Sequence, residues 1–172
     1  MKIYLKPLGK IEEQVLDILK QHLSRIFGDT VISPGDQIPV SAFNDSRRQY
    51  NAASLLDLLK SYKMPERYKM LGIVDVDIYV PELNYVFGLA DINGYCAVIS
   101  LTRLREEFYG LPTDMQLFLD RVVKEATHEL GHAFGLEHCD NNKCVMHFSN
   151  SLQDTDIKGN VFCQNCKPKL IV

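Results

Sequence analysis

His128-Glu129-Leu130-Gly131-His132-Ala133-Phe134-Gly135-Leu136-Glu137-His138 is the stretch on which the reading of this chain turns. His128 and His132 are four residues apart. On a helix that offset is about 400° of rotation and about 6 Å of rise, so both imidazoles leave one face on successive turns, where one Zn²⁺ can take both. Glu129 follows His128 and points close to such an ion without pointing at it. A carboxylate there can take a proton from metal-activated water and deliver it to a leaving amine. His138 is six residues beyond His132 and would lie on the wrong side of a continuing helix. Gly135 resolves this: it takes positive φ at little cost, ends the helix and lets the chain turn so that His138 reaches the same ion. Three histidine ligands leave a fourth position open, which is the catalytic pattern.

The helix carrying the motif is expected over residues 112–136, with Thr113 as its N-cap. At about 100° per residue, Met115, Val122, Ala126 and Ala133 centre its apolar face, and His128 and His132 lie roughly 140° and 100° from that centre. The histidines are thus offered to a cleft rather than to the core. Glu125, one turn before Glu129, could line the same cleft.

Upstream, residues 1–5 alternate as a first strand. Residues 11–27 carry Ile11, Val15, Ile18, Leu19, Leu23, Ile26 and Phe27 at helical spacing, closed by Gly28. Residues 30–40 read as extended, interrupted at Pro34-Gly35, and residues 51–62 as a helix with Ala52, Leu55, Leu56 and Leu59 on one face. Residues 70–80 read as one half-buried strand, in which Val74, Val76, Ile78 and Val80 alternate with Asp75, Asp77 and Tyr79. Residues 85–90 and 96–101 read as two more strands, joined by a turn at Asp91-Ile92-Asn93-Gly94.

Downstream of Gly135 the period is lost, and Cys, Asn, Asp and Gly accumulate. Such a segment needs something other than a core to hold it. Cys139, Cys144, Cys163 and Cys166 form two close pairs separated by a loop, the spacing of a closed, structural four-thiolate zinc site. Cys139 adjoins His138, so loss of this zinc should disturb the catalytic one. Cys96 lies in an apolar strand and reads as a buried thiol. His147, beside Met146, reads as a polar packing residue, and His22 has no role in the motif.

The chain has 172 residues, 46% of them hydrophobic and 24% charged, which suits one domain with an ordinary core. A net charge of −3 argues against nucleic acid, because phosphate binding needs clustered basic charge. Arg47-Arg48 is the one dense basic spot, and it reads as a solvated loop. The N-terminus lacks the run of about 7–15 apolar residues of a signal peptide, and no stretch reaches the roughly 18 of a membrane span. A cytosolic protein with reduced thiols is expected.

The extended histidine motif, followed eight residues after His138 by Met146 in Cys144-Val145-Met146-His147-Phe148, resembles that of the metzincins, whose methionine turn lies beneath the metal. With the four cysteines added, residues 128–166 resemble the archaemetzincins, a family found mainly in archaea and some eukaryotes. The segment Tyr85, Val86, Phe87, Gly88, Leu89 and Ala90 is similar to that family's edge-strand region. The resemblance implies an α/β fold: a twisted, mostly parallel sheet with helices above an active-site cleft, and an irregular, zinc-stabilised C-terminal part. One domain over 1–172 is expected, divided into 1–135 and 136–172. The resemblance also implies a zinc metallopeptidase with two zinc ions, with an extended peptide docked beside the edge strand. Some metzincins place a zinc-binding tyrosine two residues after the methionine; Phe148 stands there and has no hydroxyl. An aminopeptidase would need an acid for the substrate's α-amine, for which Glu125 is the candidate. The contrasting reading is a non-catalytic zinc protein that binds peptides in the same cleft.

Overall fold

The computed structural model describes residues 1–64 and 67–170. Its centre is a five-stranded sheet of β1 (Lys2–Pro7), β2 (Thr30–Ile32), β5 (Tyr68–Val74), β7 (Gly88–Ala90) and β8 (Cys96–Ser100) in the order β2-β1-β5-β8-β7. All neighbours are parallel except the β7–β8 hairpin at one edge. A smaller sheet joins β3 (Phe43–Asn44), β4 (Gln49–Asn51) and β6 (Ile78–Tyr79).

Both faces of the large sheet are covered, as parallel strands require. Ile3, Leu5, Leu71, Ile73, Ala97 and Ile99 point to one face, where they pack on α1 (Glu13–Phe27) and α3 (Met115–Ala133). Met70, Val74, Cys96 and Val98 point to the other, beneath α2 (Ala52–Ser61). The period of two thus divides each strand between two cores.

Several boundaries differ from the sequence reading. The strand expected over 70–80 stops at Val74, and Ile78–Tyr79 joins the small sheet instead. Between them Asp75 and Asp77 meet Arg105 and Arg103, so the wet side of that alternation is occupied by ion pairs. The extended stretch expected over 30–40 keeps only Thr30–Ile32 as a strand. Of residues 85–90, only Gly88–Ala90 pairs with β8, while Val86 makes a bridge to Ile78. The hairpin turn holds: Gly94 N donates to Asp91 O at 2.8 Å, with Asn93 at φ 56°. The N-cap of α3 is Asp114, whose carboxylate accepts from Leu117 N at 2.9 Å; the Thr113 hydroxyl donates to Glu107 instead. A short α4 (Leu152–Ile157) was not expected. Its signal is the Ser151/Asp154 capping box. Among the described residues no helix is long and apolar enough to cross a membrane.

From Arg121 to Ala133 every residue of α3 is buried. One side packs on the sheet. The other is closed by the segment after Gly135, so polar groups on that side are enclosed rather than offered to open water.

Candidate metal centre and cleft

Helix α3 delivers His128 and His132 on successive turns and ends in a Schellman motif. Gly135, at φ 88°, donates to His132 O at 2.8 Å, and Leu136 N reaches Gly131 O at 3.0 Å. The turn feeds back on the site, because the Leu136 carbonyl accepts from His132 Nδ1 at 2.7 Å. Beyond it the chain returns His138. His132 Nε2 then stands 3.1 Å from His128 Nε2 and 3.2 Å from His138 Nε2.

Those short distances are not hydrogen bonds between rings. His128 Nδ1 lies 2.8 Å from the Val145 carbonyl, and carbonyls only accept, so in both helix histidines the ring hydrogen sits on Nδ1. Burial holds all three imidazoles below their ordinary pKa, His128 furthest, with the nearby Lys158 cation as its next cause. Each helix Nε2 therefore presents a bare lone pair. Lone pairs converging this closely repel unless a cation lies between them. A tetrahedral zinc with Zn–N of about 2.0–2.1 Å sets its nitrogens about 3.3–3.4 Å apart, so the donor set fits that ion.

Glu129 is 6% exposed and Glu125 4%, and the two carboxyl groups stand side by side one turn apart on α3. Burial raises both carboxyls, and for Glu129 the neighbouring Glu125 adds to the rise. Glu129 packs directly on the edge strand: a Cβ at Gly88 would stand 2.6 Å from its Cγ. Lys158 completes the cluster, with its side chain 1% exposed and its ammonium 4.0 Å from Glu125 Oε2. Burial lowers the Lys158 pKa. Sequence reading missed Lys158, since a lone lysine after a short helix carries no signal.

These groups line a cleft of about 430 Å³, bounded on one side by residues 83–90 and on the other by Phe148, Ser149 and Asn150. In the β7–β8 ladder Phe87 O accepts from Ser100 N and Asp91 N donates to Cys96 O. The alternation turns the backbone groups of Gly88 and Ala90 away from β8, to the open edge. Tyr85 lies outside the strand, under the Arg103 guanidinium. Arg47, expected to be solvated, instead donates to the carbonyls of Leu83 and Asn84 and so anchors the rim of the cleft. Phe148 stacks at a tilt on His138, 4.9 Å between ring centres.

The other expected ligands also converge. The sulfurs of Cys139, Cys144, Cys163 and Cys166 lie within 4.8 Å of one another, with Cys139 and Cys163 3.8 Å apart. A disulfide needs about 2.05 Å, whereas tetrahedral zinc at about 2.3 Å from each sulfur separates them by about 3.8 Å. Backbone N–H groups, Cys166's first, lower the Cys163 thiol to about 6. Burial raises Cys144 and Cys166. Cys96 sits apart under α2, and burial pushes it up to about 12.

The two ligand clusters are linked through the chain between them. Val145, which holds His128, adjoins Cys144. His147 Nδ1 donates to Cys139 O at 2.8 Å, and Cys139 N to Met146 O at 3.0 Å. Met146 is fully buried, its sulfur against α3 at Gly131. His22 packs between Thr127 and Asn160, away from the triad.

Comparison with known proteins gives the family and the fold. The profile described as Peptidase family M54 matches residues 6–171. The chain is 45% identical over 170 residues to the archaemetzincin of Methanocaldococcus jannaschii, covering 99% of this chain and 93% of that one. It is 44% identical over 176 residues to the archaemetzincin of Pyrococcus furiosus, covering 98% and 91%. Among solved structures, archaemetzincin from Archaeoglobus fulgidus complexed with malonate superposes with a TM-score of 0.85 at 40% identity, over 98% of this chain and 99% of that one. A zinc-dependent peptidase from Methanocorpusculum labreanum gives 0.87 at 30% identity, over 98% and 99%.

Proposed function

Because the chain belongs to peptidase family M54, that of the archaemetzincins, we propose that it hydrolyses peptide bonds with a zinc ion held by His128, His132 and His138 and with Glu129 as general base. The observation that carries this reading is the convergence of the histidine nitrogens at 3.1 and 3.2 Å beside a buried carboxyl group. When bound, zinc supplies Lewis-acid polarisation of a peptide carbonyl and acidifies water. Glu129 takes the proton of the attacking water and hands it to the departing amine, a role suited to a carboxyl whose pKa burial has raised. Val145 and Leu136 hold the histidine rings by their Nδ1 hydrogens and keep Nε2 free. The backbone of Gly88 and Ala90 pairs with an extended peptide, so main-chain recognition needs no particular sequence.

A second zinc in the four-cysteine cluster ties residues 136–170 to the base of the site. No sulfur is left for an outside ligand, so its role is structural. Glu125 lines the cleft and is the acid available to hold a substrate α-amine in an aminopeptidase mode, in which it would exchange its contact with Lys158.

The test is a diverse peptide library incubated with protein carrying two zinc ions, with the products mapped by mass spectrometry. Glu129→Ala should keep both metals and lose roughly 10²–10⁴-fold in rate. Cleavage by the wild type that vanishes in the variant establishes the peptidase, and the cut sites separate internal cleavage from amino-terminal trimming. No cleavage with both ions bound favours a peptide-binding protein.

A further inference from the structure

The charge cluster behind the cleft is larger than a single general base requires. Lys158 follows α4, and its ammonium lies 3.4 Å from His128 Nδ1, 3.4 Å from the His147 carbonyl and 4.0 Å from Glu125 Oε2. His128 Nδ1 has already given its hydrogen to Val145, so it offers Lys158 no lone pair. The ammonium's charge is left to Glu125 and the His147 carbonyl. The neighbouring buried cations of α3 are engaged elsewhere: Arg121 by Asp156 and Glu106, Lys124 by Asp120. Two buried carboxyls side by side repel when both are ionised, and a cation at one of them relieves that repulsion. Glu129, a side chain with several free torsions, is thereby confined between Gly88 on one side and Glu125 on the other.

We propose that Lys158 and Glu125 are positioning residues for the general base. The ammonium fixes the Glu125 side chain, and Glu125 confines the Glu129 side chain against the edge strand at Gly88, beside the three histidines. This rests on the hydrolytic reading above. It adds a function for a lysine 30 residues from the first histidine, which lines the cleft beside the histidines without being one of them.

The experiment compares zinc-loaded wild type with Lys158→Met, Glu125→Gln, Glu125→Leu and the double variant Lys158→Met/Glu125→Gln. Lys158→Met should lower kcat roughly 10- to 100-fold, with KM and zinc content unchanged. Glu125→Gln keeps a group that can bond Glu129, so it should lose less than Glu125→Leu. The double variant removes the Glu125 charge that Lys158→Met leaves unpaired and should regain thermal stability lost in that single variant; if the single variant does not fold, the double variant carries the kinetic comparison. A readout independent of turnover is the carboxyl ¹³C resonance of Glu129, assigned by its absence in Glu129→Gln, which should shift in Lys158→Met. A raised KM at unchanged kcat makes Lys158 a substrate ligand and overturns the proposal. Lost zinc makes it a support of His128 and also overturns it, as does an unmoved Glu129 resonance. If the wild type cuts nothing while zinc is bound, the hydrolytic reading fails on its own, and the resonance still decides the positioning.

Discussion

Replacing Gly88 by alanine measures how closely the base is held. Gly88 is not among the glycines at positive φ, so its backbone accepts alanine without strain. The difficulty is contact: the added Cβ would stand 2.6 Å from Glu129 Cγ and 2.8 Å from its Oε1. Carbon atoms rest at about 3.5 Å or more, so the Glu129 side chain must withdraw by about 0.9 Å. A displacement of about 1 Å at a reacting group costs about 100-fold, or about 2.7 kcal/mol of barrier. The expected result is a fall of about that size in kcat, while KM for a library-derived peptide, zinc content and circular dichroism stay at wild-type values. The folded state should change little, because the smaller backbone entropy of unfolded alanine, about 0.4–1 kcal/mol, offsets part of the crowding. A kcat within twofold of wild type would refute the close seating of Glu129 on the edge strand.

Cys144→Ser should weaken the histidine site as well as the cysteine site, because Cys144 anchors the segment whose Val145 carbonyl orients His128. Chelator competition should show a 10- to 100-fold loss of affinity at the histidine site, the usual effect of removing a partner that orients a ligand; unchanged affinity would separate the two sites. Gly135→Ala forces a side chain into φ 88° and should cost about 1–2 kcal/mol, lowering Tm by roughly 2–8 °C for a chain of this size and loosening His138. His22 is held below its ordinary value of 6.5 by burial. Its unfolded form therefore binds the proton first as pH falls, and its contribution to stability is present above about 6.5 and lost below it. The Tm advantage of wild type over His22→Gln should shrink as pH falls through 6.5; a constant difference would contradict this.

The helix of the histidine motif, its terminating glycine and the convergence of the three histidines and of the four cysteines were legible in the sequence because each rests on short, fixed offsets. His128 and His132 share a face by helical rotation alone, and Gly135 marks the turn that returns His138. The limits of strands were less legible. Val74 to Val80 alternate, yet the chain leaves the central sheet after Val74, because Asp75 and Asp77 find arginine partners from residues 103 and 105. Thr113 and Asp114 are both good caps, and the hydroxyl was drawn off by Glu107.

The sequence by itself determined the two clusters of candidate ligands, the order of elements and the placing of Glu129 beside the histidines, since local periodicity and residue chemistry act over a few positions. Only the tertiary structure decided what surrounds the base. Gly88 reaches Glu129 from a strand 41 residues earlier, and Lys158 reaches Glu125 from a loop 33 residues later. No spacing rule spans such intervals. These contacts exist because residues 136–170 close over α3 and bury its polar face, and burial then makes every charge there depend on a partner.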